Sequence, residues 1–174
     1  MRILCTNDDG IQARGLEISS EICAGLGEVA CVAPDREQSA TSHSLTLFKP
    51  LKPTLRGPNR WQVDGTPTDC VLLALGALIG ERPDFVVSGI NHGPNMGEDV
   101  LYSGTVAAAM EGLSLGIPGV ALSLAGSDLD LLPTYRERVG ALLRSIFAVT
   151  PFPRDTLLNV NLPPIPSDQV KGVK

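Results

Sequence analysis

Ile3-Leu4-Cys5-Thr6, a short apolar run near the start of the chain, passes without a break into Asn7-Asp8-Asp9-Gly10. The first four residues read as a buried strand, so two adjacent carboxylates and an amide fall where that strand ends. A helical spacing follows over roughly Gly15 to Gly25, with Leu16, Ile18, Ile22 and Leu26 as its apolar positions. Then comes Glu28-Val29-Ala30-Cys31-Val32-Ala33, closed by Pro34-Asp35. This second strand is continuously apolar rather than alternating, as expected for a parallel sheet covered on both faces.

The alternation persists along the chain. A polar loop from Arg36 to Ser44 opens into an excursion at about 44–64, read as a hairpin arm with β-like pieces at Ser44–Phe48 and Trp61–Asp64. Thr66-Pro67-Thr68-Asp69 has helix-start chemistry, and the helix is expected to run to about Gly80. Asp84 to Ile90 is a third core strand ending in the Gly-rich stretch from Asn91 to Gly97. A helix from about Thr105 to Gly116, a strand at Gly119–Leu124, a helix over Leu132–Phe147 and a strand at Thr156–Asn161 complete the series. The fold class is α/β, a Rossmann-like, doubly wound and mostly parallel sheet with a β-hairpin excursion. Residues 1–162 form one domain, and 163–174, opening on Pro163-Pro164-Ile165-Pro166, read as a linker.

Composition narrows the function. The chain has 174 residues, 43% of them hydrophobic, with 14 basic against 19 acidic side chains and no dense Lys/Arg block, so a nucleic-acid polymer is not an expected partner. No apolar run approaches the roughly 18 residues of a membrane span. Met1-Arg2 runs directly into the first strand, leaving no room for a secretory leader, and a cytoplasmic protein is expected. The four cysteines show no metal-type spacing and read as small buried hydrophobes.

In an open parallel sheet, ligands bind beyond the carboxyl ends of the strands. Here three such ends carry oxygen-bearing side chains: Asn7-Asp8-Asp9, the loop with Ser39 and His43, and Ser88 to Asn91. Two carboxylates with Ser and Asn oxygens suit a hard divalent cation, although Asn-Asp-Asp-Gly alone also describes a solvated turn. Ser103-Gly104-Thr105 precedes a helix of small residues, which suits either phosphate binding or ordinary capping. His43 and His92 lie in loops near the same rim, where either could touch substrate or simply be exposed. Asp64 and Asp69 are read as serving the turn and cap around Gly65-Thr66-Pro67, and Asp35 and Arg36 as pairing within their loop.

Four segments together resemble the survival protein E (SurE) family of metal-dependent nucleoside-monophosphate phosphatases: Arg2–Ile11, Val32–Ser39, Gly65–Val71, and Val87 through Thr105, with a weaker recurrence at Leu158-Asn159-Val160-Asn161. The resemblance implies that Asp8, Asp9, Ser39 and Asn91 hold one divalent ion per subunit, Mg²⁺ or Mn²⁺. It assigns phosphate contacts to Asn95, Ser103, Gly104 and Thr105, and catalytic roles to Asp8 and Asp9. Activity on nucleoside 5′- and 3′-monophosphates, sometimes on short polyphosphate, and a homodimer or tetramer are also implied. The alternatives are a non-catalytic nucleotide- or phosphate-binding module and an inactive fragment of the nucleotidase. Arg14 stands where the family usually has proline, and the family's C-terminal swap region past Lys174 is absent from this sequence.

Overall fold

The computed structural model of the chain describes residues 1–173. Its strands are β1 (Arg2–Thr6), β2 (Glu28–Pro34), β3 (Pro53–Gly57), β4 (Arg60–Val63), β5 (Phe85–His92), β6 (Gly119–Leu124) and β7 (Leu157–Leu162). They form one sheet in the order β3-β4-β2-β1-β5-β6-β7, parallel throughout except for the β3–β4 hairpin. The helices are α1 (Arg14–Ala24), α2 (Pro67–Leu73), α3 (Gly104–Ser114) and α4 (Arg136–Phe147).

Strand alternation sorts the core into two layers. Ile3 and Cys5 of β1 pack with Leu16, Ile18 and Ile22 of α1 and Val139, Leu143 and Ile146 of α4. Leu4, one residue out of step, joins Val32, Val63 and Val86 beneath Cys70 and Val71 of α2 and Ala108 of α3. Helices α1 and α4 therefore share one face of the sheet and α2 and α3 the other.

This pairing fixes the hand of each crossover. Helix α1 carries the chain leftward in the strand order on the first face, while α2 and α3 carry it rightward on the second, so these three share a hand. Helix α4 also carries the chain rightward, from β6 to β7, but on the face of α1. Its crossover has the reverse hand. On β7 this leaves Leu158, Val160 and Leu162 packed with the α1/α4 layer, whereas Leu157 joins Val106 and Ala109 of α3.

The excursion differs from expectation in one strand. The hairpin pairs Pro53–Gly57 with Arg60–Val63, and Ser44–Phe48 is irregular, with Leu47 and Phe48 exposed. The reversal is at Pro58-Asn59, where Asn59 takes φ +51°, and pairing spreads outward from that turn. Residues 44–48 lie too far upstream to meet β4. Two of the helices also begin or end differently: α2 widens into a π turn over Ala74–Leu78, and a 3₁₀ stretch, Leu129–Tyr135, containing Pro133, precedes α4. Arg14 opens α1 and pairs with Asp130 at 2.6 Å.

Candidate metal and phosphate site

Strand β1 lies between β2 and β5, where the chain order reverses, so its carboxyl end faces the crevice in which such sheets bind ligands. Asn7 shapes the turn there: its Nδ2 donates to Gly10 O at 3.0 Å, its Oδ1 accepts from Gly10 N at 3.2 Å, and Gly10 takes φ +104°. With Asn7 holding the turn, Asp8 and Asp9 diverge.

Asp8 is buried, 6% exposed, and turns toward α3, where the Thr105 hydroxyl donates to its Oδ1. Gly104 makes this approach possible, because a Cβ there would stand 2.9 Å from Asp8 Cβ and 3.1 Å from Pro67 Cγ. Asp9 turns toward β5, where His92 N donates to its Oδ2 at 3.3 Å. Burial pushes the Asp8 carboxyl above its usual value, against the lowering effect of Thr105. Burial, then the charge of Asp8, pushes Asp9 up to about 6. The charge of Glu37 raises both. A divalent cation would relieve all three influences at once.

Around the carboxylates, Gln38 N donates to Asp8 O at 2.7 Å, which brings the loop after β2 against the end of β1. Ser39 lies in that loop, but its hydroxyl donates to Glu37 Oε1 at 2.5 Å rather than to either aspartate. Glu37 carries no signal in the sequence, because one glutamate in a polar loop looks like any solvated charge. Asn91 commits its Nδ2 to Gly93 O at 2.9 Å, leaving the amide oxygen as its donor to an ion. Among the described residues no three His, Cys, Asp or Glu side chains converge on one point. An ion here would rest on two carboxylates with amide and hydroxyl oxygens, a set that fits Mg²⁺ or Mn²⁺. The four cysteines are buried free thiols in the core clusters and supply no soft ligands at the rim.

Ser103, Thr105 and His43 meet at α3. Ser103 is its N-cap, accepting from Val106 N at 3.1 Å, so the ordinary capping role is realised there. Thr105 spends its hydroxyl on Asp8, which leaves backbone N–H groups of the first turn as donors to an anion. The segment before α3 is tied to the β2 loop, since Ser42 N donates to Tyr102 O at 3.0 Å and Ser42 Oγ to Leu101 O at 2.8 Å. Asn95, 6% exposed, donates from Nδ2 to Ser123 Oγ at 2.8 Å. His43 is taken by Glu111 of α3 at 2.6 Å, and the His92 ring faces Ser127 O at 3.2 Å. Asp69 closes a capping box with Thr66, as read from the sequence, whereas Asp64 accepts from Lys52 N at 2.6 Å and so ties down the segment before β3 rather than the turn at Gly65. Asp35 and Arg36 form no ion pair, and Asp35 N–H extends the β2–β4 ladder to Val63 O at 2.8 Å.

Directly beneath Asp8 on the same face, Thr6 and Ser88 are register partners of β1 and β5. Their hydroxyls and that of Thr68 in α2 are buried without a hydrogen-bond partner. A cleft of about 240 Å³ between Arg2, Glu28, Trp61 and Ile79 opens at the amino ends of the strands, away from this chemistry.

No helix is long and apolar enough to cross a membrane among the described residues. Residues 3–174 match the family model described as Survival protein SurE. The chain is 63% identical over 177 residues to the 5'-nucleotidase SurE of Gemmatimonas aurantiaca, covering 100% of this chain and 70% of that relative. With the 5'-nucleotidase SurE of Aeromonas hydrophila the identity is 49% over 180 residues, again 100% of this chain and 70% of the relative. The crystal structure of the Sure protein from Aquifex aeolicus superimposes with a TM-score of 0.94 at 41% identity, covering 100% of this chain and 71% of that one. The reversal point, the diverging aspartates and these matches agree, and the chain belongs to the SurE family.

Proposed function

We propose that this protein is a divalent-metal-dependent phosphate monoester hydrolase acting on nucleoside 5′- and 3′-monophosphates. The observation that carries the reading is the placement of Asp8 against the first turn of α3, which sets an anion-binding helix end beside two carboxylates of raised pKa. Relatives named 5'-nucleotidase SurE support the substrate class.

Asp8, Asp9 and the Asn91 amide oxygen, with Ser39 at the loop edge, would hold one Mg²⁺ or Mn²⁺ ion. When bound, that ion supplies positive charge that lowers the pKa of a water and offsets charge on the phosphoryl group. The chain's own groups do the rest. The N–H groups of Gly104 and Thr105 and the amide of Asn95 bind and orient the phosphoryl oxygens. Asp8 Oδ1 is taken by Thr105 and Asp9 Oδ2 by His92 N, which leaves Asp8 Oδ2 and Asp9 Oδ1 to hold the ion, with Asp8 or Asp9 orienting a water and accepting its proton. A covalent aspartyl-phosphate is disfavoured, because neighbouring aspartates that point apart cannot act as nucleophile and acid on one face.

Four buried free thiols suit a reducing compartment, and we place the protein in the cytoplasm as a homodimer or tetramer, with short polyphosphate as a further substrate. The test is phosphate release from a panel of 5′- and 3′-nucleoside monophosphates, with and without Mg²⁺ or Mn²⁺, beside Asp9→Ala. Metal-dependent release by the parent and none by the variant is the expected result. No release from any substrate overturns the reading in favour of a binding module or an inactive fragment.

A further inference from the structure

The sequence run Leu158-Asn159-Val160-Asn161 has no part in the chemistry above, yet it reaches the candidate site. Asn161 grips the backbone of Asn95 on both sides: its Oδ1 accepts from Asn95 N at 2.9 Å, and its Nδ2 donates to Asn95 O at 3.1 Å. Asn159 donates from Nδ2 to the same carbonyl at 2.8 Å. Ser123, register partner of Asn161 on β6, takes the Asn95 side chain. Every polar group of Asn95 except Oδ1 and one Nδ2 hydrogen is therefore held by the last two strands.

Topology explains why this grip is possible. Asn159 and Asn161 share the face of Leu157, on the α2/α3 side of the sheet. A crossover of the usual hand would lay α4 over that face. The reversed one puts α4 with α1, and the Gly-rich loop lies against β7 instead.

We propose that Asn159 and Asn161 are positioning residues that clamp the Asn95 loop, presenting its free amide hydrogen to the phosphate; this rests on Asn95 as a phosphate ligand in the function proposed above. Carboxamides suit the task because one side chain both donates and accepts, matching the N–H and C=O of a single residue as a neighbouring strand would, without adding charge near an anion. Asn161→Ala removes two bonds to the loop and Asn159→Ala one, with the carbonyl still held by Asn161.

The test measures KM for a nucleoside 5′-monophosphate, inhibition by inorganic phosphate, and Mn²⁺ affinity from the paramagnetic resonance of free Mn²⁺. Parent, Asn161→Ala, Asn159→Ala and Asn95→Ala are compared, with folding checked by thermal unfolding. Asn161→Ala is expected to weaken phosphate inhibition at least fivefold and raise KM in step, with Mn²⁺ affinity within twofold of the parent. Asn159→Ala follows in the same direction by a smaller factor, and it carries the test should Asn161→Ala not fold. Loss of phosphate affinity in Asn95→Ala with none in the folded β7 variants overturns the clamp. Unchanged phosphate affinity in Asn95→Ala overturns the assignment of Asn95, and the clamp with it.

Discussion

Free of divalent ions, the protein should become more stable when Asp9 is replaced by Asn. The Asp9 carboxyl is raised from 3.8 to about 6, chiefly by burial and then by Asp8. At about 1.36 kcal/mol per pH unit, that difference corresponds to about 3 kcal/mol of penalty on the ionised form. Asp9 is only partly buried, and screening by water brings the figure to about 1–2 kcal/mol. Because the folded pKa is the higher one, the stability linked to this group is full below 3.8 and is lost as pH rises through about 6. Asn keeps an acceptor for His92 N but carries no charge. The advantage of Asp9→Asn over the parent should therefore be near zero at pH 4 and grow to about 1–2 kcal/mol by pH 7.5. Urea unfolding in EDTA across that range reads the difference directly, and acid effects common to both proteins cancel. Parallel curves at all pH values, or a variant less stable at pH 7.5, would refute the account of Asp9. Adding Mn²⁺ should reverse the ranking, since only the parent keeps both carboxylates.

Gly104→Ala places a methyl 2.9 Å from Asp8 Cβ and 3.0 Å from its Oδ2, so Asp8 must leave Thr105. Phosphate release should fall about tenfold or more, while urea unfolding shows a loss of about 1–3 kcal/mol. Gly15→Ala is a purely structural contrast: its Cβ would lie 1.8 Å from the Ile90 carbonyl oxygen, a backbone atom that cannot swing away. It should cost about 3 kcal/mol, the upper end for overpacking, in the same unfolding assay. Leu143→Ala, in a fully buried position of α4, should cost about 2–5 kcal/mol and leave Mn²⁺ affinity within twofold of the parent.

Much of this architecture can be read from local pattern. The runs around Leu4, Val32, Val86 and Val120 are continuously apolar because each strand is covered twice, and that pattern survives without any knowledge of neighbours. The site was legible to the same extent: a parallel sheet brings strand ends together, so Asp8, Asp9 and Asn91 could be placed at one rim. Pairing details were not. Ser44–Phe48 has the residues of a strand but no partner within reach of the Asn59 turn. Glu37 matters through its distance to two aspartates, which no spacing reveals. The tie between Asn161 and Asn95 depends on which face α4 occupies, and the helix pattern of Arg136–Phe147 is the same on either face.

The contact between Thr105 and Asp8 joins residues 97 positions apart, and that between Asn161 and Asn95 joins residues 66 apart. During synthesis the paired aspartates thus emerge long before the partners that bury and orient them. Until α3 docks, Asp8 is hydrated and flexible, with no reason to ionise differently from any free carboxyl or to hold an ion tightly. Until β7 adds to β6, the Asn95 backbone lacks Asn159 and Asn161, and its side chain has only Ser123 of β6. Loading with the proposed ion would therefore follow folding rather than direct it, and a nascent or partly unfolded chain would be chemically silent. The long loops that this order requires are closed late and slowly, the usual cost of a parallel sheet.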